Sequence, residues 1–359
     1  MWLTILGVLL LTILLAWAAA WLILRGNDLS AHDHAPNTPL NESLPPSAEH
    51  HEAVNLVSGM SDSEGGNPST PDKNMLANMR AGLDAFGDSA DLNGIELREV
   101  NEPKGEWVLA ENSDPNHRLL YIHGGAFMAG SPRSHRTITT KFARMRGAAV
   151  FAVDYRLLPE HKRLDCLHDC QAAYRWILEN GPDGPAPVEN LVVAGDSAGG
   201  NLTLVVAAWT RDNDIRQPDS VVAIAPLTDN TFTSPTLKSN VDTDPMLGSA
   251  MGRINRIPQT LMYWINLITT RLSPHDPRIS PAHGNLKELP PTLIHASEAE
   301  MLVGDARRYA NKAAHEGSDV QLATWEHMIH VWHIFEPSLP EAKQAFEHID
   351  DFLKSNSAV

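Results

Sequence analysis

Three regimes of hydrophobic and polar positions divide the chain. Residues 1–24, MWLTILGVLLLTILLAWAAAWLIL, are apolar without a break. As a helix they would extend about 36 Å, enough to cross a bilayer. Trp2, Trp17 and Trp21 sit toward the two ends of the run and Arg25 closes it, the arrangement favoured at membrane–water boundaries. The pattern predicts a membrane anchor over 1–25. The small residues at 16–20 keep a cleaved signal as the alternative, with a secreted or periplasmic product. The missing basic residues ahead of the run, and its length, favour the anchor. Residues 26–71 are rich in Pro, Ser, Asn, His and acidic side chains and show no sustained apolar period. They read as a polar, disordered linker, with His32, His34, His50 and His51 as scattered solvent-facing groups. Removing 1–70 is expected to leave the body intact.

From 72 to 359 apolar periods of helix and strand alternate. Met75, Met79, Leu83 and Phe86 recur at helical spacing and predict a helix over 73–86. Strands are predicted at 95–100, 106–110, 118–122, 148–154, 191–194, 221–225, 292–296 and 320–325. Helices are predicted at 164–179, 198–209 and 303–316. Such alternation implies a mostly parallel central sheet with helices on both faces. The interval 228–273 interrupts it with an apolar helical stretch at 254–272. With about 72–92, that insertion is read as a helical cap over the carboxyl edge of the sheet.

Composition changes this picture little. With 28 basic and 44 acidic residues the net charge is −16. No basic cluster overrides that field, so nucleic acid is excluded as a partner. Cys166 and Cys170 lie four apart on a predicted helix. They read as small buried hydrophobes, because a disulfide there would be strained and a metal site would need more ligands.

Chemistry concentrates in two motifs. Gly195-Asp196-Ser197-Ala198-Gly199 joins the strand LVVA to a helix. A serine at such a sharp turn projects its hydroxyl from the sheet, and small neighbours let the turn close. The free N–H groups of the following helix lie beneath a developing oxyanion. His123-Gly124-Gly125-Ala126-Phe127 follows the strand RLLYI. Its glycines let the backbone aim amides at a carbonyl oxygen, so Gly124, Gly125, Ala126 and Ala198 are the expected oxyanion-hole donors. His123 is expected to pin this loop rather than to act as a base. His330, just after the last predicted strand, is where the chain order of a serine nucleophile, an acid and a histidine places the base. His327 and His333 are its neighbours and competitors.

At these motifs the sequence resembles the hormone-sensitive-lipase branch of the α/β-hydrolases. The likeness continues through Asp154-Tyr155-Arg156-Leu157-Leu158-Pro159-Glu160-His161 and Leu289-Pro290-Pro291-Thr292-Leu293-Ile294, and spans about residue 73 to the C-terminus. It implies an α/β-hydrolase fold with a helical cap. It also implies a serine hydrolase of carboxylic esters, a carboxylesterase acting on short to medium acyl chains, without metal or organic cofactor. An amide-hydrolysing, arylacetamide-deacetylase-like activity is an alternative, and so is a ligand-binding protein on an inactive scaffold. The resemblance places the acid after the PPTLI strand. Glu300, in Glu300-Met301-Leu302-Val303-Gly304-Asp305, fits that frame, with Glu298 as runner-up. Ala126 departs from the family, in which many members carry a third glycine. The expected partners are a small-molecule ester and, through the N-terminal helix, a membrane. Assembly is open between a monomer and a homodimer.

Overall fold

Alternating side chains along each strand must reach both faces of a sheet, and here both faces are covered. The computed structural model describes residues 1–41, 44–64 and 74–356. The strands of its main sheet are β1 (Ile95–Asn101), β2 (Lys104–Ala110), β3 (Asp114–Ile122), β4 (Ala148–Val153), β5 (Asn190–Asp196), β6 (Ser220–Ile224), β7 (Thr292–Ser297) and β8 (Val320–Trp325). They hydrogen-bond in the order β1-β2-β4-β3-β5-β6-β7-β8. The first two are antiparallel to their neighbours and β3 to β8 run parallel.

The longer helices are α1 (Trp2–Ala19), α2 (Ala48–Glu64), α3 (Met75–Gly87), α4 (Arg136–Arg146), α5 (Arg163–Glu179), α6 (Ser197–Asp212), α7 (Gly248–Ile254), α8 (Gln259–Thr270), α9 (Val303–His315) and α10 (Pro340–Asn356). On one face Leu119 and Tyr121 of β3 pack with Phe142 of α4 and Phe346 of α10. On the other, Leu120 and Ile122 meet Cys166 and Cys170 of α5 and Leu202 of α6. Both cysteines are free and buried. Because β5, β7 and β8 are parallel, the loops at their carboxyl ends open on one edge of the sheet, where α/β proteins build their sites.

Two expectations need correction. The stretch 254–272 is not one helix: Pro258 separates α7 from α8, since a proline inside a helix removes a backbone donor. The segment expected to be a disordered linker over 26–71 is docked on the body at several points. Residues 42–43 and 65–71 lie outside the described residues. Leu29 is buried against α9, and Arg308 of α9 donates to Asp33 at 2.6 Å. Asn37 and Leu40 donate to the carbonyls of Leu322 and Thr324 on β8, at 3.0 and 2.8 Å. Asn41 Oδ1 accepts from the Glu326 amide at 2.7 Å. Residues 37–41 thus lie along the open edge of β8, where unpaired backbone groups would otherwise invite another chain. Ala53 and Val57 of α2 join the core on one face of the sheet. Single apolar anchors among polar hydrogen bonds leave no hydrophobic period, so the sequence pattern does not reveal this docking.

Deleting residues 1–70 is therefore expected to lower the thermal midpoint and cause self-association through β8. The burial of Leu29 and Val57 alone is worth ~1.5–3 kcal/mol each. Thermal unfolding and size-exclusion chromatography against the full chain would check this. A truncated protein as stable and as monodisperse as its parent would show that the segment contributes nothing to the fold.

Candidate active site

The pentapeptide folds as its residue types demand. Ser197 begins α6 directly after β5 with φ of 51°, a left-handed conformation that is costly for a residue with a side chain. A Cβ on Gly195 would sit 2.5 Å from the Ile122 carbonyl oxygen, and one on Gly199 would sit 2.0 Å from that oxygen. The two glycines are therefore required by the close approach of β3. The turn leaves the Ser197 hydroxyl facing the loop that follows β8.

His330 lies on that loop. Its Nε2 is 2.9 Å from Ser197 Oγ and its Nδ1 is 2.5 Å from Glu300 Oε2. With Glu300 ionised, Nδ1 carries the proton and donates to the carboxylate, leaving Nε2 to accept from the serine. Glu300 is fully buried, and its other oxygen accepts the Ser297 amide at 2.7 Å. Burial works against an imidazolium at His330, but the hydrogen bond and charge of Glu300 outweigh it and hold the ring above its ordinary value. Asn240 donates to the carbonyls of Glu298 and Glu300, and Asp244 Oδ2 accepts the Met301 amide at 2.9 Å. These contacts fix the turn carrying Glu300.

The competitors are engaged elsewhere. Glu298 pairs with Arg307. His327 is exposed beside Glu326. His333 is buried and bonds His295, which in turn bonds His348, at 3.1 and 3.0 Å; burial pushes His333 down to about 3. Asp305 accepts the Thr228 and Asp229 amides, both at 2.9 Å. Burial, with the charge of Asp229 adding, pushes it up to about 8. It braces the loop leaving β6.

The glycine loop requires one correction. The Gly124 amide is directed at Asp196 Oδ1, 3.0 Å away, so it is not available to an oxyanion. The same oxygen accepts Tyr121 Oη at 2.6 Å. Asp196 is buried, which raises a carboxyl's pKa, but His135 and Tyr121 hold it below its ordinary value. A Cβ on Gly124 would meet Asp196 Oδ2 at 2.1 Å, so this glycine serves the approach of Asp196. The amides of Gly125 and Ala126 have no acceptor among the described residues. Gly125, Ala126 and Phe127 run successively at φ of 112°, 55° and 62°. Ala126 thus carries a side chain in backbone space that glycine enters freely.

His123 behaves as expected of a loop pin. Its Nδ1 donates to the Gly124 carbonyl at 2.8 Å, and its ring stacks on Tyr155. Burial, with His135 nearby, pushes it down to about 4. Arg80 of α3 donates to the Met128 and Leu158 carbonyls at 2.8 and 3.0 Å. The Arg163 guanidinium lies 3.7 Å from the Phe127 ring centroid and donates to Asn201 at 2.6 Å. The roles of Asp196, Asp244, Arg80 and Asn201 escaped the sequence reading. Of these, only Asp196 carried a local signal, its place inside the pentapeptide.

Comparison with known proteins places this geometry. A family model described as the alpha/beta hydrolase fold matches residues 119–334. An acetyl-hydrolase of Streptomyces hygroscopicus is 34% identical over 272 residues, covering 76% of this chain and 86% of the relative. The carboxylesterase/phospholipase LipF of Mycobacterium tuberculosis is 33% identical over 246 residues, which cover 67% of this chain and 62% of LipF. Among solved structures, an esterase/lipase from an uncultured bacterium superposes with a TM-score of 0.73 at 33% identity, covering 87% of this chain and all of that one. An esterase from the bacterial hormone-sensitive lipase family superposes at 0.71 and 30% identity, over 87% of this chain and 99% of its own.

Proposed function

The chain belongs to the α/β-hydrolase fold family, and from that premise we propose a carboxylesterase working through Ser197, His330 and Glu300 and a covalent acyl-enzyme. The observation that carries the reading is the unbroken hydrogen-bonded series from the Ser197 hydroxyl through both ring nitrogens of His330 to the buried Glu300 carboxylate. His330 Nε2 takes the serine proton as Oγ attacks the ester carbonyl. Glu300 holds the ring orientation and stabilises the imidazolium that forms. The amides of Gly125, Ala126 and Ala198 receive the negative oxygen, each worth on the order of 3 kcal/mol of barrier. As the tetrahedral species collapses, the alkoxide leaves with the proton from His330. Water, deprotonated by the same ring, then releases the acid and restores Ser197. An inactive binding scaffold would have no need of this series.

The N-terminal helix is read as a retained anchor. Ala20 and Leu24 are buried against Tyr263, Trp264 and Leu267 of α8, and Trp264 Nε1 donates to the Ala16 carbonyl at 3.3 Å.

The test is covalent. A fluorophosphonate should add one equivalent, mapped by peptide mass spectrometry to Ser197, and abolish turnover of p-nitrophenyl esters of graded acyl length. An aryl amide run alongside reads the amidase alternative. Label on another residue, or inactivation without label, would refute the serine mechanism.

A further inference from the structure

The apolar N-terminal span is Thr4–Leu24, 21 residues of mean hydropathy 2.5, about 32 Å of helix against about 30 Å of bilayer hydrocarbon. Most of its side chains face outward, Leu14, Leu15, Leu22 and Ile23 among them. The body does not hang below this helix on a tether. It grips the last turns from the side, through the contacts of α8 with Ala16, Ala20 and Leu24. His275, just beyond α8, reaches the Leu24 carbonyl at 3.3 Å. At Gly26 (φ +73°) a Cβ would meet His275 Cβ at 2.5 Å, so the exit from the helix is also closely packed. A body helix held beside residues 16–24 shares their depth. If α1 occupies a bilayer, α8 lies in one half of that bilayer.

The composition of α8 suits that place. Its sequence, QTLMYWINLITT, carries no charge. While Tyr263 and Asn266 are buried, Leu261 and Ile268 are 51% and 60% exposed. With Ile265 they follow the i, i+4, i+7 spacing of one helix face. From 245 to 275 the chain has no acidic residue and three arginines, Arg253, Arg256 and Arg271, in a protein of net charge −16. An apolar helix face flanked by basic residues lies in a lipid interface with the cations among anionic headgroups. Beside it, Arg25 stacks on Trp21 at 4.3 Å, a pairing suited to the same boundary.

The helix is also braced to the loop beside the nucleophile. Asn266 donates to the Asn230 carbonyl at 2.7 Å, and Gln259 donates to the Thr231 carbonyl. Asn201, one turn past Ser197 on α6, donates to the carbonyls of Leu227 and Ile279 at 2.7 and 2.8 Å, and the Leu227 amide donates to the Ser197 carbonyl.

We propose that α8 is an interfacial helix, with Leu261, Ile265 and Ile268 among the acyl chains of the bilayer that α1 enters, and that the site draws its esters from that bilayer. The first clause rests on the anchor reading above and the second on the esterase reading.

The experiment uses the full chain reconstituted in phosphatidylcholine vesicles containing phosphatidylglycerol. Leu261→Cys, Ile268→Cys and, on the exposed face of α10, Lys343→Cys are each labelled with an environment-sensitive nitrobenzoxadiazole dye; the native cysteines are buried. Spin-labelled phosphatidylcholine should quench the labels at 261 and 268 several-fold more than the one at 343. Equal quenching at all three would overturn the placement of α8. The double variant Leu261→Asp, Ile268→Asp should lose at least tenfold in rate on a long-chain ester dissolved in the vesicles while keeping the parent rate on water-soluble p-nitrophenyl acetate. A parallel fall on both esters, or no fall on either, would overturn the claim about substrate supply. A parent inactive on both esters would refute the esterase reading, and the quenching data would still decide where α8 lies.

Discussion

Ser197→Ala is expected to reduce ester hydrolysis by about four orders of magnitude or more, because it removes the hydroxyl that His330 Nε2 meets at 2.9 Å. The fold should be retained. The substitution removes one oxygen that is hydrogen-bonded to His330, and alanine meets the same backbone at φ of 51° that serine already tolerates. Stability in urea should stay within about 1 kcal/mol of the parent. Steady-state rates on p-nitrophenyl butyrate, measured together with denaturation curves, separate the two effects. A folded variant within tenfold of the parent rate would end the serine mechanism, and an unfolded one would show that the hydroxyl is structural.

What could be read in the sequence follows the physics of each element. The inner parallel strands carry nearly continuous apolar runs because helices cover both faces, whereas edge strand β1 alternates polar and apolar residues, and the predicted ranges fall on β1 to β8 within a few residues. Ser197 was legible because a strand, a glycine-flanked serine and a helix are contiguous in the chain. Its partners are distant in sequence: His330 lies 133 positions from Ser197 and Glu300 lies 30 from His330. Spacing alone could not choose Glu300 over Glu298. In the structure Glu298 belongs to Arg307, nine positions further on, a pairing that the local spacing does not announce. The reading of Gly124 as an oxyanion donor failed for a similar reason. Its amide is directed at Asp196, 72 residues away, and the motif alone cannot show which N–H groups are already engaged. The N-terminal docking was hidden most completely. It depends on Asp33, Asn37, Asn41 and Ser47 meeting backbone and side-chain partners near the C-terminus, and polar residues of this kind look the same in a free linker. The cap assignment over 72–92 and 228–273 remains a proposal, supported by the hold of Arg80 on the glycine loop and by the bracing of α8 to the loop after β6.

Glu300→Gln is the variant that separates orientation from charge. A glutamine can keep a contact with His330 Nδ1, but it can present its amide N–H and so favour the wrong tautomer, with the proton on the nitrogen that must accept from Ser197. A fall in kcat of about 10⁴ is expected, the scale of a triad whose acid has become an amide. Glu298→Gln should stay near the parent, since Glu298 pairs with Arg307 outside the series. The pH profile provides a second readout. His330 acts as a base only when neutral, so kcat/KM should fall on the acid side of its pKa, which Glu300 holds above the ordinary histidine value against the pull of burial. Without the carboxylate, burial acts unopposed by that partner and the acid limb of the residual activity should move to lower pH. A Glu300→Gln enzyme with near-parental kcat and an unmoved acid limb would remove Glu300 from the mechanism. The same losses from Glu298→Gln would transfer the role to that residue.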